Sequence, residues 1–116
     1  MFPVARGKIL AYGAPMDMRR GIDGLAMIVA HHFHSSPQQG GLYIFINRRQ
    51  DKLKILYWDR NGFCLWYKRL EKGTFKISFD QPPLLTLTPC QLRRLLEGVD
   101  YRKTQSHLGL NYQNYF

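Results

Sequence analysis

The chain has 116 residues, 45% of them hydrophobic, which predicts one globular domain with a modest core and excludes wholesale disorder. No apolar run approaches the roughly 20 residues that cross a bilayer, and the N-terminal MFPVARGKILAYG lacks a signal-peptide pattern, so we expect a cytoplasmic protein with no membrane partner. Seventeen Lys and Arg against eight Asp and Glu give a net charge of +9. This surplus favours a nucleic-acid partner over the alternative that the protein is basic for no specific reason.

The first third of the sequence predicts a short strand, residues 9–12, followed by a long helix. An apolar stripe at helical spacing marks this helix, formed by Ile22, Leu25, Ala26, Val29 and Phe33. Asp17 is the expected N-cap. Arg19 and Arg20 then fall in the first helical turn, where the backbone dipole disfavours cations. Either Asp17 or Asp23 neutralises these arginines, or a phosphate does, and both interpretations stay open.

Four strand candidates or near-strands follow the loop SSPQQGG, residues 35–41. LYIFIN (42–47) is apolar on both faces of a strand, so we expect it to be central in the sheet and covered on both sides. KILYWD belongs to the next strand (53–59), and FCLWYKR (63–69) returns alongside it. TFKISF (74–79) alternates cleanly between apolar and polar residues. These segments predict an antiparallel meander.

The segment LTPCQLRRLLEGVD predicts a short, well-capped helix. Thr88 and Gln91 have the spacing of a capping box, and Gly98 marks the end of the helix. The elements together predict a single α+β domain over residues 1–100, with an antiparallel β-meander of about four to five strands, one long helix and one short helix. Residues 101–116 are expected to form a C-terminal arm.

The hairpin YWDRNGFCLWYK combines five aromatic residues with a turn signal. If Asn61-Gly62 forms a two-residue loop, one face is expected to be core. That face carries Leu56 with Tyr67, Trp58 with Leu65, Arg60 with Phe63, and Phe75, Ile77 and Phe79 from the next strand. The opposite face carries Tyr57, Trp66 and Lys68. It is either a stacking platform for nucleic acid or a second core beneath the long helix. Lys54 and Arg69 would form a like-charge pair across the strands, and a longer loop would shift this register.

Residues that could support catalysis or bind a metal are few. Asp17, Asp23 and Asp59 could form a nuclease triad, but eight acids in a chain of this length always yield some triple. The HHFH segment lacks a further ligand at metal spacing, and Cys64 and Cys90 have neither disulfide nor zinc spacing. No phosphate-binding glycine loop or nucleophile motif is present. We therefore expect no enzyme activity, no metal and no cofactor.

Three ordered motifs, PMDMRRGIDGLAMIV, DKLKILYWDRNGFCLWYKRLEKGTF and LTPCQLRRLLEGVD, carry a family resemblance. Over residues 12 to 100 the chain resembles the TnpB accessory proteins, the products of the second open reading frame in the insertion sequence 66 family of bacterial transposons. The resemblance implies a part in transposition beside a separate transposase. It carries over no catalytic residues, and the tail after Asp100 does not match.

The leading hypothesis is a non-catalytic accessory protein that binds DNA or the transposase–DNA complex through its basic, aromatic-rich hairpin region. The candidate contacts are Arg19, Arg20, Arg48, Arg49, Lys52, Lys54, Tyr57, Arg60, Trp66, Lys68 and Arg69. The alternative is an adaptor that docks on the transposase without touching DNA, and a metal-dependent nuclease ranks third. The sequence leaves open whether the chain forms a homo-oligomer.

Overall fold

The computed structural model describes residues 7–79 and 84–102. Most of the expected C-terminal arm, residues 103–116, lies outside the described residues. In chain order the elements are β1 (Ile9–Tyr12), α1 (Ile22–Ile28), a π-helical turn (Val29–Phe33), a 3-10 turn (Pro37–Gln39), β2 (Leu42–Ile46), β3 (Lys52–Asp59), β4 (Gly62–Arg69), β5 (Leu84–Leu87) and α2 (Pro89–Leu96). The predicted α+β class is confirmed.

One five-stranded sheet organises the domain, in the order β4-β3-β2-β1-β5. The pairs β2–β3, β3–β4 and β1–β5 are antiparallel, whereas β1 and β2 are parallel. The expectation of a wholly antiparallel meander is therefore wrong in this one pairing. A parallel pair needs a crossover connection, and here the connection from β1 to β2 contains α1. Strand β5 was not predicted, because its four residues pair only with the distant β1.

Both faces of the sheet are covered by apolar side chains. Helix α1 supplies Leu25 and the π-helical turn supplies Val29 to one face, while α2 supplies Leu92 and Leu95 to the other. We call the first group the α1 cluster (Met16, Leu25, Val29, Phe33, Tyr43, Phe45, Leu56) and the second the α2 cluster (Ile9, Ala11, Leu42, Ile44, Ile46, Leu53, Ile55, Phe75, Ile77, Leu87, Leu92, Leu95, Leu96, Tyr101). Every residue of β2 is buried, so the prediction of a strand covered on both sides is confirmed.

Helix α1 is shorter at its beginning than the sequence predicted. It starts at Ile22 with Gly21 as its N-cap residue, and no side chain caps it. Asp17 lies outside the helix, where its Oδ1 accepts a hydrogen bond from the backbone N–H of Arg19 at 2.8 Å. The expectations that Asp17 is the N-cap and that Arg19 and Arg20 lie in the first helical turn are therefore wrong. A local side-chain bond of this kind favours a turn over a helix.

The segment 74–79 does not form a strand, although its apolar residues are buried as expected. Phe75 and Ile77 pack in the α2 cluster, on the opposite face from the one predicted. The Gln50 side-chain Nε2 donates to their carbonyl oxygens at 2.8 and 2.7 Å, and the N–H of Phe75 donates to the Gln50 carbonyl at 2.7 Å. These bonds from one glutamine replace a strand ladder, so alternation of apolar residues alone did not identify the structure.

Helix α2 begins and ends as predicted. The Thr88 Oγ1 accepts the N–H of Gln91 at 3.1 Å, and the Gln91 Oε1 accepts the N–H of Thr88 at 2.9 Å, which completes the capping box. Gly98 has φ of 80° two residues after the last helical residue, a left-handed conformation that glycine adopts at little cost. All signals for this helix are local in the sequence, which is why they were decisive.

The β3–β4 hairpin keeps the predicted faces but has a different register. The turn is Arg60-Asn61, with Asp59 opposite Gly62, and Arg60 has φ of 54°. Each predicted partner is therefore two residues away from the observed one, since Leu56 lies opposite Leu65 and not Tyr67. A shift of two preserves which side chains share a face. The predicted pair of Lys54 and Arg69 is absent, and Lys54 lies opposite Tyr67 instead.

Candidate nucleic-acid interface

A groove of about 480 Å³ lies where the loop before α1 meets the turn between β2 and β3. Strand β4 contributes Tyr67 to the same surface. The lining residues, which define what we call the basic groove, are Met16, Asp17, Met18, Arg19, Asn47, Arg48, Arg49, Lys52 and Tyr67. Four of these side chains are cationic and one is anionic. The fold thus brings together four of the predicted contacts from two separate segments.

The turn that carries Arg48 and Arg49 is held by the side chain of Asn47. Its Oδ1 accepts the N–H groups of Asp51 and Lys52 at 3.1 and 2.9 Å, and its Nδ2 donates to the Asp51 carboxylate at 2.7 Å. An asparagine that bonds the backbone of its own turn in this way restricts the conformation of the turn. The turn therefore presents its two arginines from a fixed backbone.

The loop before α1 is held against the sheet by Lys54. Its ammonium donates to the carbonyl oxygens of Met18 and Arg20 at 2.8 and 2.9 Å. The N–H of Met16 also donates to the Ile46 carbonyl at 2.8 Å, which ties the start of the loop to the end of β2. Lys54 was predicted to contact phosphate, but its charge is engaged by these carbonyls. It acts behind the basic groove and supports one of its walls.

Arg19 and Asp17 form an ion pair at the edge of the basic groove. The distance between Arg19 Nη2 and Asp17 Oδ2 is 2.7 Å, and the arginine side chain is 91% exposed. Hydrogen bonds from the Arg19 side chain and backbone lower the pKa of Asp17 from 3.8 to about 2, against a small opposing effect of burial. The sequence left open whether an acid or a phosphate neutralises Arg19, and in the structure Asp17 forms a salt bridge with it.

Lys52, Arg48 and Arg49 differ in how far neighbouring acids neutralise them. The Lys52 ammonium lies 3.5 Å from the Asp51 carboxylate. The pKa of Asp51 is lowered chiefly by the hydrogen bond from Asn47, with Lys52 adding to this effect against the opposing effect of burial. Arg48 and Arg49 are exposed, and neither forms an ion pair or side-chain hydrogen bond with the part of the chain that the structure describes. Their guanidinium groups are thus available to an anion.

The remaining predicted cations lie outside the basic groove. Lys68 points to the α2 side of the sheet, where its ammonium donates to the Leu96 carbonyl at 2.8 Å and satisfies the negative end of α2. Arg69 pairs with Glu71 at 2.9 Å. Arg60 occupies the hairpin turn, 4.0 Å from Asp59. Arg20 is exposed beside the groove in the same loop as Arg19.

Tyr57 and Trp66 lie on the face that packs against α2. Both are half-buried against the α2 cluster, so residues of α2 and of the 74–79 segment cover the predicted stacking platform in part, whereas α1 lies on the other face. Burial raises the pKa of the Tyr57 hydroxyl, and the neighbouring Cys64 raises it further. The structure thus separates these two rings from the basic groove by the thickness of the sheet.

Tyr67 is the residue of the groove that sequence reasoning missed. It was expected in the core opposite Leu56, but half of its side chain is exposed (50%). The Lys54 ammonium lies over its ring, 5.4 Å from the centroid, at a distance typical of a cation–π contact. The signal was present in the sequence, because a turn at Arg60-Asn61 places Tyr67 opposite Lys54. The four residues DRNG allow either turn, and the sequence favoured the Asn-Gly one.

Among residues 7–79 and 84–102, no group of three His, Cys, Asp or Glu side chains could hold a metal ion. Within the same residues, no helix has the length and apolar character needed to cross a bilayer.

The fold and groove define a small basic α+β protein, and comparison with known proteins identifies its family. The sequence model described as IS66 Orf2 like protein matches residues 7–106, so the chain belongs to this family, whose description indicates a transposition accessory protein. An uncharacterized protein of Sinorhizobium fredii, y4hO, is 36% identical over 89 residues, covering 77% of each chain. A second from that organism, y4jC, is 31% identical over 106 residues, covering 90% of this chain and 91% of its own. No solved structure matches. The resemblance seen in the three sequence motifs is confirmed.

Proposed function

We propose that the protein is a DNA-binding accessory protein of transposition and that the basic groove contacts the phosphate backbone. One observation carries the proposal: Arg48 and Arg49 project, without an acidic partner among the described residues, from a turn whose backbone Asn47 fixes. Arg19 and Lys52 add two further cations to the same groove. Guanidinium groups bind phosphate through paired hydrogen bonds, and the fixed backbone of the turn holds both arginines at the same surface.

The surplus of positive charge in the basic groove favours a polyanion such as the phosphate backbone over an anion of low charge. Four cations and one carboxylate line a surface open to solvent, and this surplus attracts a polyanion over a distance of about 8–10 Å at physiological salt. Membership in the family indicates where such a polyanion would be met, since transposition acts on DNA. The residues that line the groove belong to a loop, a turn and two strands, and none belongs to a helix that could read base edges. We therefore assign the basic groove a positioning role on the DNA backbone.

The test is a paired double substitution. Arg48→Gln/Arg49→Gln removes two charges from the basic groove, whereas Arg93→Gln/Arg94→Gln removes two adjacent arginines from α2 on the opposite face of the sheet. We expect the first variant to bind duplex DNA about 30-fold more weakly at physiological salt, since each lost phosphate contact weakens binding about five- to sixfold. The α2 variant should stay within about threefold of the unmodified protein. Fluorescence anisotropy with labelled element-end DNA measures both.

The alternative function, an adaptor for the transposase, has an observation of its own. Met27 is 61% exposed beside Ala26, Ala30 and Phe63, in an apolar groove of about 530 Å³ on the α1 side. Exposed apolar patches of this kind occur at protein–protein interfaces. Co-purification with the transposase in the absence of DNA separates the two functions. If Arg48→Gln/Arg49→Gln retains the transposase and the unmodified protein has no salt-sensitive DNA affinity, the adaptor replaces the DNA-binding proposal.

A further inference from the structure

Tyr67 is a half-exposed ring in the basic groove, and it belongs to neither of the two apolar clusters formed by the described residues. Among the described residues the exposed large apolar side chains are Met27, Tyr67 and Val99, and of these only Tyr67 is aromatic. Large rings are seldom left bare in small domains, because exposure forfeits the free energy of burying them. An exposed ring is therefore a candidate contact for a ligand.

The ring is held in place from behind. The Lys54 ammonium lies over it, and the same ammonium is fixed by the carbonyl oxygens of Met18 and Arg20. The backbone of Tyr67 belongs to the β3–β4 ladder, so its Cα is fixed as well. A ring backed by a bound cation and open to solvent over half its surface offers a flat platform with little conformational entropy to lose.

The cations and the exposed ring of the basic groove suit single-stranded DNA better than duplex DNA. Proteins that bind single strands combine a positively charged groove with aromatic side chains on which bases stack. In a duplex the bases are already stacked on each other, so a flat ring at the protein surface meets only sugars and phosphates. In the basic groove, Arg48 and Arg49 stand on the turn while Tyr67 stands on the neighbouring strand. A single strand can place its phosphates on the two arginines and a base on the tyrosine ring.

We propose that the basic groove binds single-stranded DNA, with an unpaired base stacked on Tyr67 and the flanking phosphates on Arg48 and Arg49. This inference rests on the proposed DNA-binding function and names its substrate class. Lys54 is a positioning residue in this arrangement, because it orients the ring and the loop that carries Arg19 without contacting DNA itself.

The test compares a single strand of about 15 nucleotides with a blunt duplex of the same sequence, by anisotropy at one salt concentration. We expect Tyr67→Leu to weaken single-strand binding about 5- to 100-fold and to change duplex binding less than about twofold. Tyr67→Phe keeps a stacking surface and should bind as the unmodified protein does. Tyr57→Leu, which alters a ring of the same hairpin on the α2 side, is the matched control and should leave the single-strand-to-duplex ratio unchanged.

A second measurement uses the unmodified protein and so does not depend on the folding of a variant. A single strand that carries 5-iododeoxyuridine is irradiated in complex with the protein, and the cross-linked peptide is identified by mass spectrometry. Attachment at Tyr67 supports the inference, and attachment only at other aromatic residues overturns it. Equal weakening of both DNA forms by Tyr67→Leu, or none, also overturns it. If at the same time Arg48→Gln/Arg49→Gln still weakens binding, the proposed function stands without the stacking. If that double variant has no effect, the proposed function fails.

Discussion

The β3–β4 hairpin and the β2–β3 turn are both basic, yet they use their cations differently. In the hairpin, Lys54 and Lys68 donate to backbone carbonyls, one beneath the loop before α1 and one at the end of α2. On the turn, Arg48 and Arg49 have no such partner among the described residues. A high density of positive charge in a sequence therefore does not locate a binding surface. What locates it is the subset of cations whose hydrogen-bonding capacity is left unused by the fold.

Removal of the Lys54 ammonium should have the largest effect on stability. Lys54→Met leaves two carbonyl oxygens of the loop without their charged donor and removes the cation from Tyr67. We expect a loss of about 2–3 kcal/mol in the free energy of unfolding, since hydrogen bonds to charged groups contribute about 1.5–3 kcal/mol. Urea denaturation measures this loss. The matched control is Lys72→Met, an exposed lysine whose replacement should change stability by less than about 0.5 kcal/mol.

A variant of Lys68 should separate structural from binding charge. Lys68→Met removes the donor to the Leu96 carbonyl at the end of α2, which we expect to cost about 1–2 kcal/mol of stability. Its affinity for DNA should remain within about threefold of the unmodified protein, because the ammonium lies on the α2 side of the sheet. A large loss of DNA affinity with unchanged stability would restore Lys68 to the list of phosphate contacts and blur the comparison between hairpin and turn.

The smallest effect concerns Asp17, the one acid that lines the basic groove. Because its folded pKa of about 2 lies below the ordinary 3.8, the ion pair with Arg19 stabilises the folded protein above about pH 4, and this contribution is lost as the pH falls through 2. Asp17→Asn frees Arg19 and removes one negative charge, so DNA should bind about threefold more tightly at neutral pH. Weaker binding by this variant would mean that the pair positions Arg19 and does not merely neutralise it.

Local signals in the sequence were sufficient for several elements. The capping box of Thr88 and Gln91 fixed the beginning of α2, because all of its bonds form within four residues. The apolar run of β2 correctly indicated a strand covered on both sides. The faces of the hairpin were also predicted correctly, since a register shift of two residues leaves each side chain on its face. Each of these predictions depended on neighbours in the sequence or on a period of two.

The features that decide the candidate site were not predictable in the same way. Whether Lys54 and Lys68 face DNA or bond a carbonyl depends on the loop at Met18 and on the end of α2, both far away in the sequence. Gln50 bonds residues more than twenty positions away and thereby replaces the expected strand at 74–79. The position of Tyr67 depended on a choice between two turns that the residues DRNG both permit. Partners distant in the chain therefore determined which cations remained available, and the choice of turn determined which ring did.

The salt dependence of DNA binding measures whether Arg48 and Arg49 contact phosphates. The logarithm of the association constant falls linearly with the logarithm of salt concentration, with a slope of about −0.9 per phosphate contact on duplex DNA. We predict that Arg48→Gln/Arg49→Gln makes this slope shallower by about 2 on a duplex, whereas Arg93→Gln/Arg94→Gln leaves it as it is in the unmodified protein. Parallel lines for all three proteins would mean that Arg48 and Arg49 contact no phosphate, and the basic groove would then not be the DNA-binding surface.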